Sequence, residues 1–284
     1  MTTPRWNILV SAEALAAAQP APDLVVLDCR ASLADPAAGE RDYRAGHVPG
    51  ALHADLERDL SGPRRPGQGR HPWPEPGTFN TRLADWGISP ASRVVAYDAG
   101  DGAFAARLWC LLRMLGHEAV AVLDGGWPQW VAAGLPVETA VPTPRRGSCR
   151  AGFDHSRLLD ADGTRRHLEV GGLLLDARAP ERFRGEVEPI DPVAGHVPGA
   201  INRPYTANLA DGRFKPSAQL RAEFDALLEG RAAGEVVAMC GSGVTACHHL
   251  LAMEHAGLPG AKLFTGSWSG WIEDRSHPVA TGDA

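Results

Sequence analysis

The sequence predicts two tandem α/β domains, each a mainly parallel sheet with helices on both faces. Three observations carry this reading. The chain has 284 residues, long for one domain and comfortable for two. Apolar strand-like runs alternate with helical patterns in both halves, as they do where helices cover a parallel sheet. One segment also occurs twice: Ala45-Gly46-His47-Val48-Pro49-Gly50-Ala51 returns letter for letter at Ala194 to Ala200.

The repeat extends to five landmarks in matched order. A strand ending in Asp-x-Arg comes first, at Val25 to Arg30 and at Leu173 to Arg178. The seven-residue segment follows. It is expected to be a structural turn rather than a ligand site, because both halves carry it. Next is a buried strand, Val94 to Asp98 and Val236 to Cys240. A helix then ends in glycine. In the first half it is Ala103 to Leu115, with Phe104, Leu108, Leu111 and Leu112 on one face and Gly116 as the stop. In the second half Val244, Cys247 and Leu251 share a face and Gly257 stops it. Each half closes on Gly-x-Trp-x-x-Trp, at Gly125 to Trp130 and at Gly266 to Trp271. The copies lie a domain length apart, which rules out a solenoid period. The expected division is 1–139 for the first domain, 140–154 for a linker and 155–284 for the second. Pro142, Pro144 and Gly147 break any pattern in the linker.

Composition excludes several classes. Lys plus Arg number 28 against 34 for Asp plus Glu, a net charge of −6. No basic stripe marks a nucleic-acid partner, and no apolar run is long enough to span a bilayer. The first residues, Met-Thr-Thr-Pro-Arg-Trp, lack the charged and apolar blocks of a secretory signal. Five cysteines, Cys29, Cys110, Cys149, Cys240 and Cys247, form no Cys-x-x-Cys pair and no zinc spacing. No metal and no organic cofactor are expected, and the expected compartment is the reducing cytoplasm.

The halves differ where chemistry belongs. Cys240 stands at a strand's end, before Gly241-Ser242-Gly243-Val244-Thr245 and a helix. Backbone N–H groups of such a turn, with the positive end of the helix dipole, stabilise an anion. They lower a thiol's pKa and would hold a thiolate or persulfide. Asp98 occupies the matching position in the first half, and a carboxylate cannot carry sulfane sulfur. The first loop, Asp98 to Gly102, is therefore expected to be catalytically silent.

Cys-Gly-Ser-Gly-Val-Thr-Ala resembles the active-site loop of the rhodanese-like sulfurtransferases, in the form found in 3-mercaptopyruvate sulfurtransferases. The resemblance extends over nearly the whole chain. It implies two rhodanese-type domains with the active site between them, and a cysteine that takes up sulfur as a persulfide. Cysteine phosphatases of related fold need Cys-x5-Arg to grip phosphate, and here that sixth position is Ala246. Thiosulfate-preferring relatives carry basic residues after the cysteine, where this chain has Gly241 and Ser242.

The resemblance also assigns roles. Arg182, in Ala-Pro-Glu-Arg-Phe-Arg-Gly, matches an arginine that binds the donor's anion, and the loop residues Gly241, Gly243, Val244 and Thr245 line the same place. A second arginine often follows Glu-Pro in this family. Here it is Ile190, and Arg184 is the candidate replacement. Asp55 and His71 match an aspartate and a histidine that form a relay with the loop serine, Ser242. Asp55 would orient His71, and His71 would move a proton through Ser242. Asp59 competes with Asp55 for that role. The implied reaction is ping-pong transfer from 3-mercaptopyruvate to cyanide, a small thiol or a thioredoxin-like protein. The alternatives are a thiosulfate:cyanide sulfurtransferase and a non-catalytic persulfide carrier. Cys247, two helical turns on, is expected to pack rather than react.

Overall fold

A computed structural model describes residues 6–283. Two compact units form. The first takes the residues up to Ser61, Pro74–Asp154 and Asp211–Arg213. The second takes Gly62–Trp73, His155–Ala210 and the residues from Phe214 onward. The short stretch 62–73 thus belongs with the second unit, although the chain on either side of it builds the first.

Each unit contains a five-stranded, wholly parallel sheet. In the first the order is Leu9–Val10, Val120–Leu123, Arg93–Tyr97, Leu24–Asp28, Leu52–His53. In the second it is Leu158–Leu159, Lys262–Phe264, Val236–Met239, Leu173–Asp176, Ala200–Asn202. The two orders correspond strand for strand, as the repeat requires. Every residue of the two middle strands, Arg93–Tyr97 and Val236–Met239, is buried. This is why they read as unbroken apolar runs rather than as alternation.

Alternate strand residues point to opposite layers. Val95, Tyr97, Ala121 and Leu123 join Leu15 and Trp130 in one cluster, with the helices Ala12–Ala17 and Gly126–Ala132. The helix Ala103–Met114 packs on the strands Arg93–Tyr97 and Val120–Leu123. In the second unit Val237, Met239, Phe264, Trp268 and Trp271 form the equivalent cluster. The helix after Cys240 spans Ala246–His255. It starts later than the apolar spacing predicts, because Gly243 at φ +76° turns the chain first.

The five landmarks acquire structural jobs. Asp28 receives Arg30 through Nη2 at 2.6 Å, and the same guanidinium donates to the Gly46 carbonyl at 2.7 Å. Asp176 receives Arg178 at 2.6 Å, and Arg178 donates to the Gly195 carbonyl at 2.8 Å. Trp127 and Trp268 each take a guanidinium over the ring, 4.7 Å from the centroid. His47 Nδ1 lies 2.8 Å from the Tyr43 carbonyl, and His196 Nδ1 lies 2.8 Å from that of Phe183. Buried charges persist only when paired and hydrogen-bonded, so each strand end, turn and tryptophan in the repeat requires the others. Among the described residues no helix is long and apolar enough to cross a membrane.

Candidate active site

The strand Val236–Met239 delivers Cys240 into a backbone clamp. Cys240 N–H donates to Ser267 Oγ at 3.1 Å, and its carbonyl accepts from Trp268 N–H at 3.0 Å. Ser269 N–H donates to the Gly241 carbonyl at 2.9 Å. The second unit's Gly-x-Trp segment therefore fixes the loop as well as the core. Gly243 N–H donates to Cys240 Sγ at 3.2 Å, so the sulfur sits where a backbone dipole favours negative charge. A Cβ on Gly243 would lie 2.5 Å from the Thr265 carbonyl oxygen, at a φ that side chains avoid. The Val244 and Thr245 carbonyls accept from Cys247 and His248 N–H groups at 3.1 Å each and so begin the helix. Cys240 is only 1 % exposed. Cys247 Sγ donates to the Gly243 carbonyl at 3.4 Å and is buried, a packing role.

The stretch 62–73 docks on this loop's support because glycines allow backbone to meet backbone. A Cβ on Gly69 would lie 2.4 Å from the Gly266 carbonyl oxygen, and one on Gly270 would lie 2.8 Å from that of Gly67. Arg70 N–H donates to Ser269 Oγ at 3.1 Å, and Gly67 N–H donates to the Glu273 carboxylate. This docking sets His71 beside the loop. His71 Nδ1 lies 2.7 Å from Ser242 Oγ, both groups being buried.

Arginines gather at Gly241. A Cβ there would meet Arg70 Nη2 at 3.0 Å and Arg182 Nη1 and Nη2 at 3.6 and 3.7 Å. Arg182 is the arginine that the sequence singled out for the donor's anion. Arg70 is not singled out there, although it is the neighbour of His71 in the chain. Arg182 also donates to Glu188 through Nη2 at 2.7 Å and to Asp191 at 3.2 Å, and Arg70 pairs with Asp191. Burial pushes Glu188 up, but Arg182 and the N–H groups of Asp191 and Ile190 outweigh it and hold the carboxyl below its ordinary value. Burial pushes Asp191 up, and there it prevails over Arg70.

The other candidates have partners close to them in the chain. Arg184 turns to Glu186, at 2.8 Å. Asp55 belongs to the first unit, where its carboxylate accepts Arg58 N–H at 2.7 Å. Asp59 there receives Asp55 N–H at 2.9 Å and pairs with Arg58 and Arg82. The first unit's own loop is filled from within. Asp98 accepts N–H groups of Gly100 and Gly102 at 3.0 Å, Phe104 at 2.9 Å and Ala105 at 3.0 Å. The carboxylate occupies the anion cradle that its counterpart offers to a sulfur.

The rhodanese-like domain family matches residues 11–133 and 160–274. A Pseudomonas aeruginosa protein named probable 3-mercaptopyruvate sulfurtransferase is 54 % identical over 97 % of this chain and 98 % of its own. The thiosulfate sulfurtransferase of Bos taurus is 34 % identical over 92 % of this chain and 89 % of its own. The solved 3-mercaptopyruvate sulfurtransferase from Leishmania major superposes with a TM-score of 0.81 at 29 % identity, covering 94 % of this chain and 74 % of that one. With a duplicated parallel-sheet unit, a cysteine held at a strand end in one copy, and such relatives along its whole length, the chain belongs to the rhodanese-like sulfurtransferases.

Proposed function

We propose that this enzyme moves a sulfane sulfur from 3-mercaptopyruvate to a thiol or cyanide acceptor through a persulfide on Cys240. The observation that carries the reading is the convergence on one loop of three devices. An N–H group faces the nucleophilic sulfur, a His71–Ser242 pair stands beside it, and two guanidiniums stand at Gly241. The 54 % identical relative supports the choice of donor.

In the first half-reaction the Cys240 thiolate attacks the donor's sulfur. The donor's carbon–sulfur bond breaks, and its electron pair leaves with the carbon as the enolate of pyruvate. The donor's thiol proton passes by Ser242 and His71 to the enolate carbon, so pyruvate departs and a Cys240 persulfide anion remains. The Gly243 N–H and the helix Ala246–His255 favour that anion. Arg182 and Arg70 grip the donor's carboxylate. Asp55 is the proposed orienting carboxylate of the relay, and Arg184 a more distant donor contact. In the second half-reaction the acceptor attacks the outer sulfur, and the Cys240 thiolate is restored. A thioredoxin-like protein is a proposed acceptor, and the five free thiols support a reducing, cytoplasmic setting.

A second reading, thiosulfate as donor, is favoured by the bovine relative. Pyruvate release from 3-mercaptopyruvate, measured beside thiocyanate formation from thiosulfate and cyanide, separates the two. A kcat/KM for thiosulfate equal to or above that for 3-mercaptopyruvate would overturn the first reading.

A further inference from the structure

The guanidiniums at Gly241 are already matched by carboxylates, charge for charge. Arg182 donates through Nε and Nη2 to Glu188, at 3.2 and 2.7 Å, and Nη2 also reaches Asp191 at 3.2 Å. Arg70 reaches the other oxygen of Asp191 through Nη1. Both carboxylates are buried, their side chains 4 % and 3 % exposed. Glu188 is itself pinned by the N–H groups of Ile190 and Asp191, each at 3.0 Å. Arg70 Nη2 and Arg182 Nη1 are then turned to Gly241 with no protein acceptor among the described residues. They offer hydrogen-bond donors to an incoming anion, while Glu188 and Asp191 cancel the formal charge behind them.

We propose that Glu188 and Asp191 determine donor specificity by neutralising Arg70 and Arg182, so that the site takes a monoanionic keto acid in preference to a dianion such as thiosulfate. The argument rests on the proposed reading of these arginines as the donor's anion site. In a partly desolvated place a second negative charge on the ligand needs a second uncompensated cation nearby. An arginine already paired with a buried carboxylate supplies directional N–H groups but little net potential. Like charge facing a ligand is a means of rejecting it, and specificity is the difference between two affinities. Asp191 is central because it bridges both guanidiniums. The sequence departure at Ile190 fits the same account. One arginine comes from Arg70 instead, on a stretch distant in the chain, and Asp191 beside Ile190 receives it.

The test is kcat/KM for 3-mercaptopyruvate and for thiosulfate on the full chain, as wild type, Asp191→Asn and Glu188→Gln. Removing one negative charge should raise the thiosulfate to 3-mercaptopyruvate ratio about tenfold to a hundredfold in Asp191→Asn. Glu188→Gln should move it in the same direction. A ratio unchanged in folded variants overturns the inference, whatever happens to the two rates together. A measurement on the wild type alone guards against misfolded variants: acetate should inhibit 3-mercaptopyruvate turnover at lower concentration than sulfate, and the reverse order overturns the inference as well. Failure of the wild type to turn over either donor would instead remove the reading on which this inference depends.

Discussion

His71 Nδ1 lies 2.7 Å from Ser242 Oγ, although 171 residues separate them in the chain. Both groups are nearly sealed from solvent, at 2 % and 4 % exposure. The serine is two residues past Cys240, on the loop whose N–H faces the sulfur. In the proposed mechanism this hydroxyl and this imidazole form a proton path of two links. His71→Ala should slow pyruvate formation from 3-mercaptopyruvate by roughly 10²–10⁴-fold. Ser242→Ala should do the same, and the double variant should be little worse than either, since the pair acts as one unit. An unchanged rate in a folded His71→Ala protein would make the histidine a tether of the stretch 62–73 instead.

Cys240 and Cys247 are both buried, and Cys240 takes the Gly243 N–H at its sulfur. Cys247 spends its own thiol on the Gly243 carbonyl. Donor treatment should therefore add about 32 Da, one sulfur, to the Cys240 peptide alone. Cys240→Ser should abolish transfer, and Cys247→Ser should retain most of it. Mass spectrometry that found the adduct on Cys247 or on Cys149 would assign the carrier elsewhere.

Much of this was legible in the sequence because the fold uses each motif for a local, repeated purpose. Asp28-x-Arg30 and Asp176-x-Arg178 close on their own strand ends and on the glycine of the repeated turn. Such pairings recur wherever the motif does, so the duplication and the parallel sheets follow from pattern alone. The Cys240 loop stood out for the opposite reason, as the place where the second copy departs from the first, which has Asp98 there. Arg70 was not legible. Its place beside Gly241 depends on the docking of Gly67 and Gly69 against Gly266 and Gly270, a long-range approach of backbones that leaves only inconspicuous glycines behind. Arg184, the candidate replacement for the arginine missing at Ile190, pairs with Glu186. Charged side chains settle on whichever partner the turn presents, and the helical turn Pro180–Phe183 ends just before it.

Asp98 shows what the first loop has become. Its two oxygens accept four N–H groups, of Gly100, Gly102, Phe104 and Ala105. An amide in its place has one oxygen, and its NH₂ would face two of those donors. Asp98→Asn should therefore cost stability, about 2–4 kcal/mol for the two stranded donors, and lower the urea midpoint of unfolding. The first loop has no other task in the reaction proposed above. Single-turnover persulfide formation on Cys240 should thus proceed at the wild-type rate in the fraction that is folded. A variant of wild-type stability would show that the cradle does not depend on the carboxylate.

The helix behind the nucleophile should make the protein sensitive to mild acid. His249 is fully buried, with Nε2 2.7 Å from the Arg203 carbonyl and Nδ1 3.0 Å from Asn208 Nδ2. A carbonyl can only accept, so Nε2 carries the proton and Nδ1 accepts from the amide. A second proton would have to go on Nδ1, against an N–H donor and away from solvent. Burial accordingly pushes His249 down from 6.5 to about 3, in spite of the Arg203 carbonyl. The unfolded chain takes up that proton near its ordinary pKa, whereas the folded one does not until near pH 3. The stabilising contribution is thus complete above about pH 6.5 and is lost progressively as pH falls toward 3, at about 1.4 kcal/mol per pH unit. Urea unfolding at about pH 7.5 and about pH 5 should differ by about 2 kcal/mol from this group. His249→Gln, which keeps a donor for Arg203 but cannot titrate, should be less stable at neutral pH and should lose that part of the slope. Equal pH dependence in the two proteins would mean that His249 is protonated in the folded helix after all, and that Asn208 turns its oxygen to it.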